Sequence, residues 1–356
     1  MKTRTSLIDV LLPESSIGWT GGDSYVTNLY RILTLLENDG HIKILNRDRK
    51  VRFVDILASK FFPKSTEAIN RRRFEALNLP WPLISGIRNP VQWIPDLQEI
   101  DEPQFFSIDE REKRKEQIEA AAEINTAFYF SSNYSLELFK REFPNAKTLS
   151  VVRFSVFKDK AISKFPVDCV GCLQHGFYYV PNTWWKHKNH LLLLSAFREY
   201  KNSGGKKHLV LTGSEEDYRW PLYSDEVRTA LRMIDNSHNV GFCDSDLKSA
   251  LYRDAFCVIQ PSIYEGWSTI VEEALIFNKK LIVSDLPVFE EQLEGESGYK
   301  TFCRDNTQSL TDAMFATENE RNSVVKRNYE KRHQRFYSDA KNLILLAETH
   351  RNLVSS

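Results

Sequence analysis

The sequence lacks an excess of charge of either sign: 48 Lys and Arg stand against 48 Asp and Glu in 356 residues. A balanced chain sets up no global field to draw it onto nucleic acid, so no nucleic-acid partner is expected and any basic role must be local. Nothing approaches the run of about 18 apolar residues that a spanning helix needs. Met1 to Asp9 holds neither a long apolar stretch nor a cleavage site, which argues against a secretory signal. Cysteine is scarce: Cys169, Cys172, Cys243, Cys257 and Cys303 are odd in number and scattered. A disulfide framework is therefore not expected and a reducing compartment fits. Cys169-x2-Cys172 has no second pair to complete a zinc site. These absences point to a cytoplasmic protein, at most peripheral on the inner face of the cytoplasmic membrane.

What is present is material for two interiors. A chain of 356 residues with 42% hydrophobic and 12% aromatic content suits two domains of roughly 150–200 residues. Short apolar runs alternate with longer helical patterns, the signature of parallel sheets wrapped by helices. Strands are expected at Ser6–Leu12, Ile42–Leu45, Val51–Ile56, Val91–Ile94, Ala127–Phe130 and Leu149–Phe154. After the first of these comes a loop holding Gly18, Gly21 and Gly22, then a helix from about Asp23 to Leu36. A densely charged helix, Asp109–Ile124, reads as a solvated outer face. The pattern weakens at Phe157–Pro166, where a linker is expected, and a second alternating series follows. Its strands are Phe177–Val180, His208–Leu211, Asn239–Gly241, Phe256–Ile259 and Leu281–Ser284, with helices Asn189–Tyr200, Asp246–Asp254 and Thr269–Phe277. The tail, Ser338–Asn352, is an amphipathic helix. The expected fold is α/β with two Rossmann-like doubly wound domains facing a central cleft: 1–160, 174–335, and a terminal helix 336–356 crossing back to the first. Ligands in such folds sit at the carboxyl ends of strands.

The segment richest in chemistry runs from Phe256 to Leu275. A buried strand ends at Gln260, Pro261-Ser262 turns the chain out, and Glu265 follows in a loop where Gly266 permits close backbone approach. Thr269 and Glu272 read as a capping box for the next helix, whose N-terminal amides suit an anion such as a diphosphate. Glu273 lies eight positions after Glu265. Each carboxylate can accept hydrogen bonds from vicinal hydroxyls, so the pair suits a ligand with hydroxyls at both ends and phosphate between, as in a nucleotide sugar. For two glutamates alone, helix-dipole stabilisation by Glu272 and Glu273 and a solvated Glu265 would be the better reading.

The context reverses this. Pro261-Ser262-x2-Glu265-Gly266-x6-Glu273-Ala274, followed by Ser284-Asp285, resembles the glutamate–seven–glutamate motif of glycosyltransferase family 4, with its GT-B fold. Gly21-Gly22 resembles that family's N-terminal glycine loop, and His187-Lys188-Asn189-His190 its phosphate-binding lysine segment. Trp93-Ile94-Pro95-Asp96-Leu97-Gln98, with Pro103-x-Phe105-Phe106-Ser107, is similar to members acting on bacterial surface polysaccharides. The resemblance implies a retaining, metal-independent, cofactor-free hexosyl or deoxyhexosyl transferase taking a nucleotide-sugar donor and a glycan or lipid-linked glycan acceptor. Within it, Glu265 would contact sugar hydroxyls, Glu273 ribose hydroxyls, and Lys188 the departing diphosphate. The amides near Trp267, Ser268 and Thr269 would hold sugar and phosphate oxygens, with Gly22 letting backbone approach them. Two departures stand out. Thr183 replaces an arginine that many members carry before the lysine, and Pro95-Asp96 replaces a His-Asp pair, which weakens the assignment of Asp96 to sugar or acceptor contact. A catalytically silent partner subunit and a nucleotide-sugar epimerase are the competing classes. Intact Glu265, Glu273 and Lys188 oppose the first, and the absence of an acid/base set opposes the second.

Smaller signals have plainer readings. Lys188 opposes the dipole of the helix it precedes, so compensation is expected, and a bound phosphate would supply it; the plainer reading is a solvated N-terminal turn. His187 and His190 have metal-like spacing without an acidic partner. Asp244-Ser245-Asp246 reads as a helix cap, at Ser245 or Asp246, rather than a divalent-ion site. From Arg47 to Arg73 nine basic residues (47, 49, 50, 52, 60, 64, 71, 72, 73) stand against Asp48, Asp55 and Glu67, with Phe61 and Phe62 among them. This 47–73 run suits an anionic membrane surface or a lipid-linked acceptor, and equally a solvated charged face.

Overall fold

The computed structural model describes residues 6–10, 12–13, 20–44, 50–51, 75–77, 91–123, 127–146, 149–157, 175–320, 325 and 327–355. Gly18, Cys169, Cys172, the 157–166 linker beyond Phe157 and the 47–73 run apart from Lys50 and Val51 lie outside the described residues. The chain divides into two compact units, Met1–Ser155 with Glu330–Ser356, and Val156–Tyr329.

The first unit contains β1 (Ser6–Val10), β2 (Leu12–Pro13), β3 (Ile42–Ile44), β4 (Lys50–Val51), β5 (Glu75–Leu77), β6 (Val91–Ile94), β7 (Ala127–Phe130) and β8 (Leu149–Val151). Six of these form a parallel sheet in the order β3-β1-β5-β6-β7-β8, while β2 and β4 pair separately. Every residue of β6 and β7 is buried, as strands covered on both faces require. Helix Thr20–Asn38 docks through Tyr25, Leu29, Leu33 and Leu36, each at most 1% exposed. Tyr25 stacks on Trp93 at 3.8 Å between ring centroids. Gly21 and Gly22 fall inside the first turn of this helix, not in a loop before it. Their low helix propensity hid the start, and the packing of the later turns overrides it. The terminal helix, Tyr329–Ser355, starts earlier than its apolar periodicity suggests. It buries Phe336, Ala340, Leu343 and Ile344, and its Asp339 accepts from the Arg153 amide at 3.1 Å and guanidinium at 3.3 Å.

The second unit contains β9 (Phe177–Val180), β10 (His208–Leu211), β11 (Ser237–Asn239), β12 (Cys257–Gln260), β13 (Lys280–Ser284) and β14 (Tyr299–Phe302), parallel in the order β11-β10-β9-β12-β13-β14. The chain builds outward from β9 to β11, then returns to β12 on the other side. The β9–β12 boundary is thus the point where winding reverses, and in doubly wound sheets ligands bind at the carboxyl ends of the strands beside that point. Beneath it Tyr178, Leu193, Phe197, Tyr200, Leu310 and Met314 pack into one core. Gly213, just past β10, marks a close approach at the same edge. Its φ is +132°, and a Cβ there would lie 2.3 Å from the Asn182 carbonyl oxygen. The helices Asn133–Glu142, Tyr223–Arg232, Pro287–Gln292 and Thr307–Asn319 and the strands β5 and β14 were not anticipated from the sequence.

Candidate functional site

Two loops leave the sheet at the reversal point. From β9 the chain runs through Asn182 to a 3-10 turn, Lys186–Lys188, then into helix His190–Asn202. Asn189 joins turn to helix in the left-handed conformation, φ 59° and ψ 39°, which asparagine tolerates better than most residues. Asp217 braces the turn: its carboxylate accepts from the amides of Lys186 at 2.8 Å and Arg219 at 2.9 Å. The Lys186 ammonium sits 3.4 Å from the Trp220 ring centroid. From β12 the chain turns at Pro261-Ser262 and presents Glu265. The two loops are stitched by the Ile263 amide donating to the His187 carbonyl at 2.8 Å. Arg304 adds a second tie, its guanidinium donating to Ile263 O at 2.8 Å and its carbonyl accepting from Asn189 at 3.0 Å.

These ties bring Lys188 and Glu265 together, with Nζ to Oε1 at 2.6 Å. The same oxygen accepts from Gln260 Nε2 at 2.6 Å and Ser262 Oγ at 2.7 Å. An ionised carboxylate, acceptor-only, is the group that satisfies three converging donors. Gln260 is itself oriented, because Asn182 Nδ2 donates to its Oε1 at 2.9 Å. Ser284 fixes the turn by donating to the Ser262 carbonyl at 2.6 Å. The charge that compensates Lys188 in this structure is the Glu265 carboxylate, a protein group that the sequence reading, which looked to a bound phosphate, did not pair with it.

Glu273 belongs to a separate cluster. It is the fifth residue of helix Thr269–Ile276, beyond the first turn. Lys248 Nζ donates to its Oε1 at 2.6 Å and Tyr252 OH to its Oε2 at 2.8 Å. Tyr252 is buried, lies parallel to Phe277 at 5.4 Å and meets Tyr179 edge-on at 5.1 Å. Burial first, then the Glu273 charge, pushes the Tyr252 hydroxyl well above its ordinary pKa, so it remains a donor.

The cap of that helix differs from the expected capping box. Ser268, not Thr269, is the N-cap, its Oγ accepting from the Val271 amide at 3.4 Å. Glu272 is fully buried and accepts from Trp267 Nε1 at 3.2 Å and Gln292 Nε2 at 2.9 Å. The Thr-x-x-Glu spacing was met by chance, one residue out of phase. The Ser268 amide donates to Gln292 Oε1 at 3.3 Å. The Asp244 cap likewise lies one residue ahead of expectation, with Oδ1 accepting from the Leu247 amide at 2.8 Å. Gly266 and Trp267 are buried and Thr269 is half-buried in the same stretch.

Both loop histidines are buried. Burial first, then the Lys188 charge, pushes His190 down to about 3 and His187 well below the usual range. Both are neutral at physiological pH. Asp96, in the first unit after β6, accepts from the Gln98 amide at 3.3 Å. Beside it, burial raises Glu99 to about 7 despite the Arg114 guanidinium at 3.0 Å. Cys243, Cys257 and Cys303 are free thiols. Among the described residues no helix is long and apolar enough to cross a membrane.

Sequence reasoning missed Lys248, Tyr252, Asn182 and Gln260. Lys248 and Tyr252, four apart, share a helix face, and Gln260 ends an otherwise apolar strand; those were the available signals.

Residues 178–335 match the family model described as glycosyl transferases group 1. O-antigen chain mannosyltransferase RfbU of Salmonella typhimurium is 29% identical over 185 residues, covering 49% of this chain and 48% of that protein. The chain therefore matches about half the length of this curated relative. Among solved structures, sucrose-phosphate synthase from Thermosynechococcus elongatus aligns with a TM-score of 0.66 at 13% identity, over 98% of both chains. Anabaena HepE in complex with UDP and glucose aligns with a TM-score of 0.61 at 13% identity, over 98% of this chain and 100% of that one. At such identities the likeness shows the fold, which is GT-B. The match to the group 1 glycosyl transferase model thus takes in most of the second unit, from β9 through the segment that holds Lys188, Glu265 and Glu273.

Proposed function

We propose that the protein is a retaining glycosyltransferase that moves a hexosyl or deoxyhexosyl group from a nucleotide diphosphate sugar to a glycan or lipid-linked glycan during surface polysaccharide biosynthesis. The observation that carries this reading is the Lys188–Glu265 contact at the carboxyl ends of β9 and β12, inside the segment that matches the family. The O-antigen relative and the UDP-bound fold neighbour supply the polysaccharide and nucleotide-sugar context.

In this reading Lys188 faces the donor diphosphate and Glu265 the sugar hydroxyls. The bond from anomeric carbon to phosphate oxygen breaks, and the bonding pair leaves on the diphosphate. The acceptor hydroxyl oxygen attacks from the same side, and its proton passes to a leaving phosphate oxygen. No protein carboxylate is assigned as the base. The Lys188 ammonium stabilises charge that grows on the diphosphate, the kind of preorganised electrostatic contact that lowers such barriers most. Each charge-assisted contact contributes roughly 1.5–3 kcal/mol. Glu273 holds the ribose hydroxyls. The amides at Trp267, Ser268 and Thr269, together with Gly22 and Asp96 of the first unit, keep the donor and acceptor roles that the family resemblance gives them. The 47–73 run is the proposed contact with an anionic membrane surface.

A nucleotide-release screen over a panel of donor sugars, with a polysaccharide-repeat acceptor, tests the reading. One donor should be consumed only when acceptor is present, and Glu265→Gln should abolish turnover. Release from no donor, or unchanged release in Glu265→Gln, would sink it. The product's anomeric configuration, read by NMR, tests retention.

A further inference from the structure

We infer that the groove between helices Ile108–Glu123 and Asn133–Glu142 of the first unit is a further carbohydrate site, one that holds a neutral stretch of the acceptor glycan; the choice of a glycan rests on the function proposed above. The first helix leads into β7 and the second leaves it. Ile118 and Ala121 of one pack with Leu138 and Phe139 of the other over Phe128 and Phe130. Outside that core the helices part around a cavity of about 340 Å³, within the size range of small-ligand sites. Buried Ile118 and Phe143 form its floor, and exposed Glu112 and Lys115 stand at its mouth. Asp96 does not line it.

Arg111 carries the inference. It lines the cavity, its Nε is enclosed without a hydrogen-bond partner, and the guanidinium enters no ion pair among the described residues. An enclosed donor left unanswered is costly. Arg114 shows the contrast, since it holds Glu99 at 3.0 Å and Glu110 at 3.4 Å. The walls set Arg111 and Lys115 against Glu99, Glu112 and Glu142. Burial, opposed by Arg114, raises Glu99 to about 7, so near neutrality it both donates and accepts. Neither a net anion nor a net cation finds a complementary field there. A hydroxyl combines one donor with two acceptor positions, so a sugar answers both kinds of wall. Its oxygens accept from Arg111 and Lys115, its O–H groups donate to the carboxylates, and its C–H face rests on Ile118 and Phe143. A chain anchored in this groove presents its end to the enzyme at a raised effective concentration, which favours long acceptors over short ones.

The test is saturation-transfer NMR of the whole chain with mannotriose, maltotriose and cellotriose, and with trigalacturonate and the glucosamine trimer as charged counterparts. At least one neutral trisaccharide should bind, with an affinity indifferent to added salt. Arg111→Ala, and Glu112→Trp, which plugs the mouth from an exposed position, should each weaken it at least about tenfold, the worth of one hydrogen bond to a charged group. Circular dichroism verifies the fold. Binding of a charged trimer alone overturns the neutral class, and unchanged binding in both variants puts the sugar elsewhere. Binding of none of the five overturns the site. Donor-dependent transfer to a single-repeat acceptor, measured in parallel, separates the two readings. Transfer by the wild type without groove binding overturns the groove alone, whereas no transfer with any donor overturns the proposed function and the choice of glycan with it.

Discussion

Lys188 Nζ lies 2.6 Å from Glu265 Oε1, on an oxygen that Gln260 and Ser262 also reach. The two side chains are only 16% and 9% exposed, so each is a partly desolvated charge neutralised by the other. Removing one partner strands the other, which costs more than the pair contributes. Lys188→Met should lower stability by about 2–4 kcal/mol. The double variant Lys188→Met/Glu265→Gln should recover at least about 1 kcal/mol relative to the sum of the singles. Urea midpoints measure this, and strictly additive losses would show that the two charges act independently. In turnover, Lys188→Met should lose about 100-fold in kcat, the usual cost of deleting one preorganised charge contact.

Gln260 is fully buried, orients Glu265 and is itself oriented by Asn182. Gln260→Leu removes a donor from the carboxylate and leaves the Asn182 amide unsatisfied, costing about 1–3 kcal/mol. Because Lys188 and Ser262 still reach Glu265, activity should fall without vanishing. Gln260→Asn, one methylene shorter, should not restore it. A Gln260→Leu enzyme with wild-type kcat and KM would show that the amide has no positioning role.

The helix after the glutamate loop separates two cap assignments. Ser268→Ala removes the hydroxyl that accepts from the Val271 amide and should cost about 1 kcal/mol, the typical value for an N-cap. Thr269→Ala, already inside the helix, should stay within about 0.5 kcal/mol. Thermal melts compare them directly, and the opposite ranking would restore Thr269 as the cap.

The contrast between these residues explains what was readable in the chain. The strand at Cys257–Gln260, the turn and the helix at Thr269 are written in local grammar: an apolar run, Pro-Ser, then a capping residue. Lys188 and Glu265 could be matched because each sits in a short segment with its own pattern. Phe177–Val180 and His208–Leu211 were delimited to the residue, since buried parallel strands are uninterrupted apolar runs. Lys248 and Tyr252 were not recognised. Their meaning lies in Glu273, 25 and 21 residues away, and nothing local distinguishes them from other residues of an amphipathic helix. Glu272 failed for the opposite reason, because a local pattern suggested a cap and tertiary packing against Trp267 and Gln292 claimed the side chain. The charged start of helix Tyr329–Ser355 had no apolar stripe to reveal it.

His190 carries the last prediction, a dependence of stability on pH. Its ring is fully buried at the start of helix His190–Asn202, beside Trp184 and Tyr223, and its pKa is pushed down from 6.5 to about 3. In the unfolded chain the ring takes a proton near pH 6.5, while in the fold it stays neutral down to about 3. The unfolded state therefore binds more protons throughout that window, and stability falls as pH falls. Between pH 7.5 and 5 this one group should withdraw about 2 kcal/mol, from 1.36 kcal/mol per pKa unit. His187, shifted the same way, adds to the loss. Glu99 opposes it: with its pKa raised from 4.5 to about 7, the folded state binds the extra proton and gains stability on acidification through that range. His190→Met keeps an apolar side chain of similar reach and cannot protonate. Its Tm should match or exceed the wild type's at pH 7.5 and clearly exceed it at pH 5. Parallel Tm–pH curves for the two proteins would mean that His190 takes up its proton alike in the folded and unfolded chain, and the imidazole kept neutral by burial beside Lys188 would have to be abandoned.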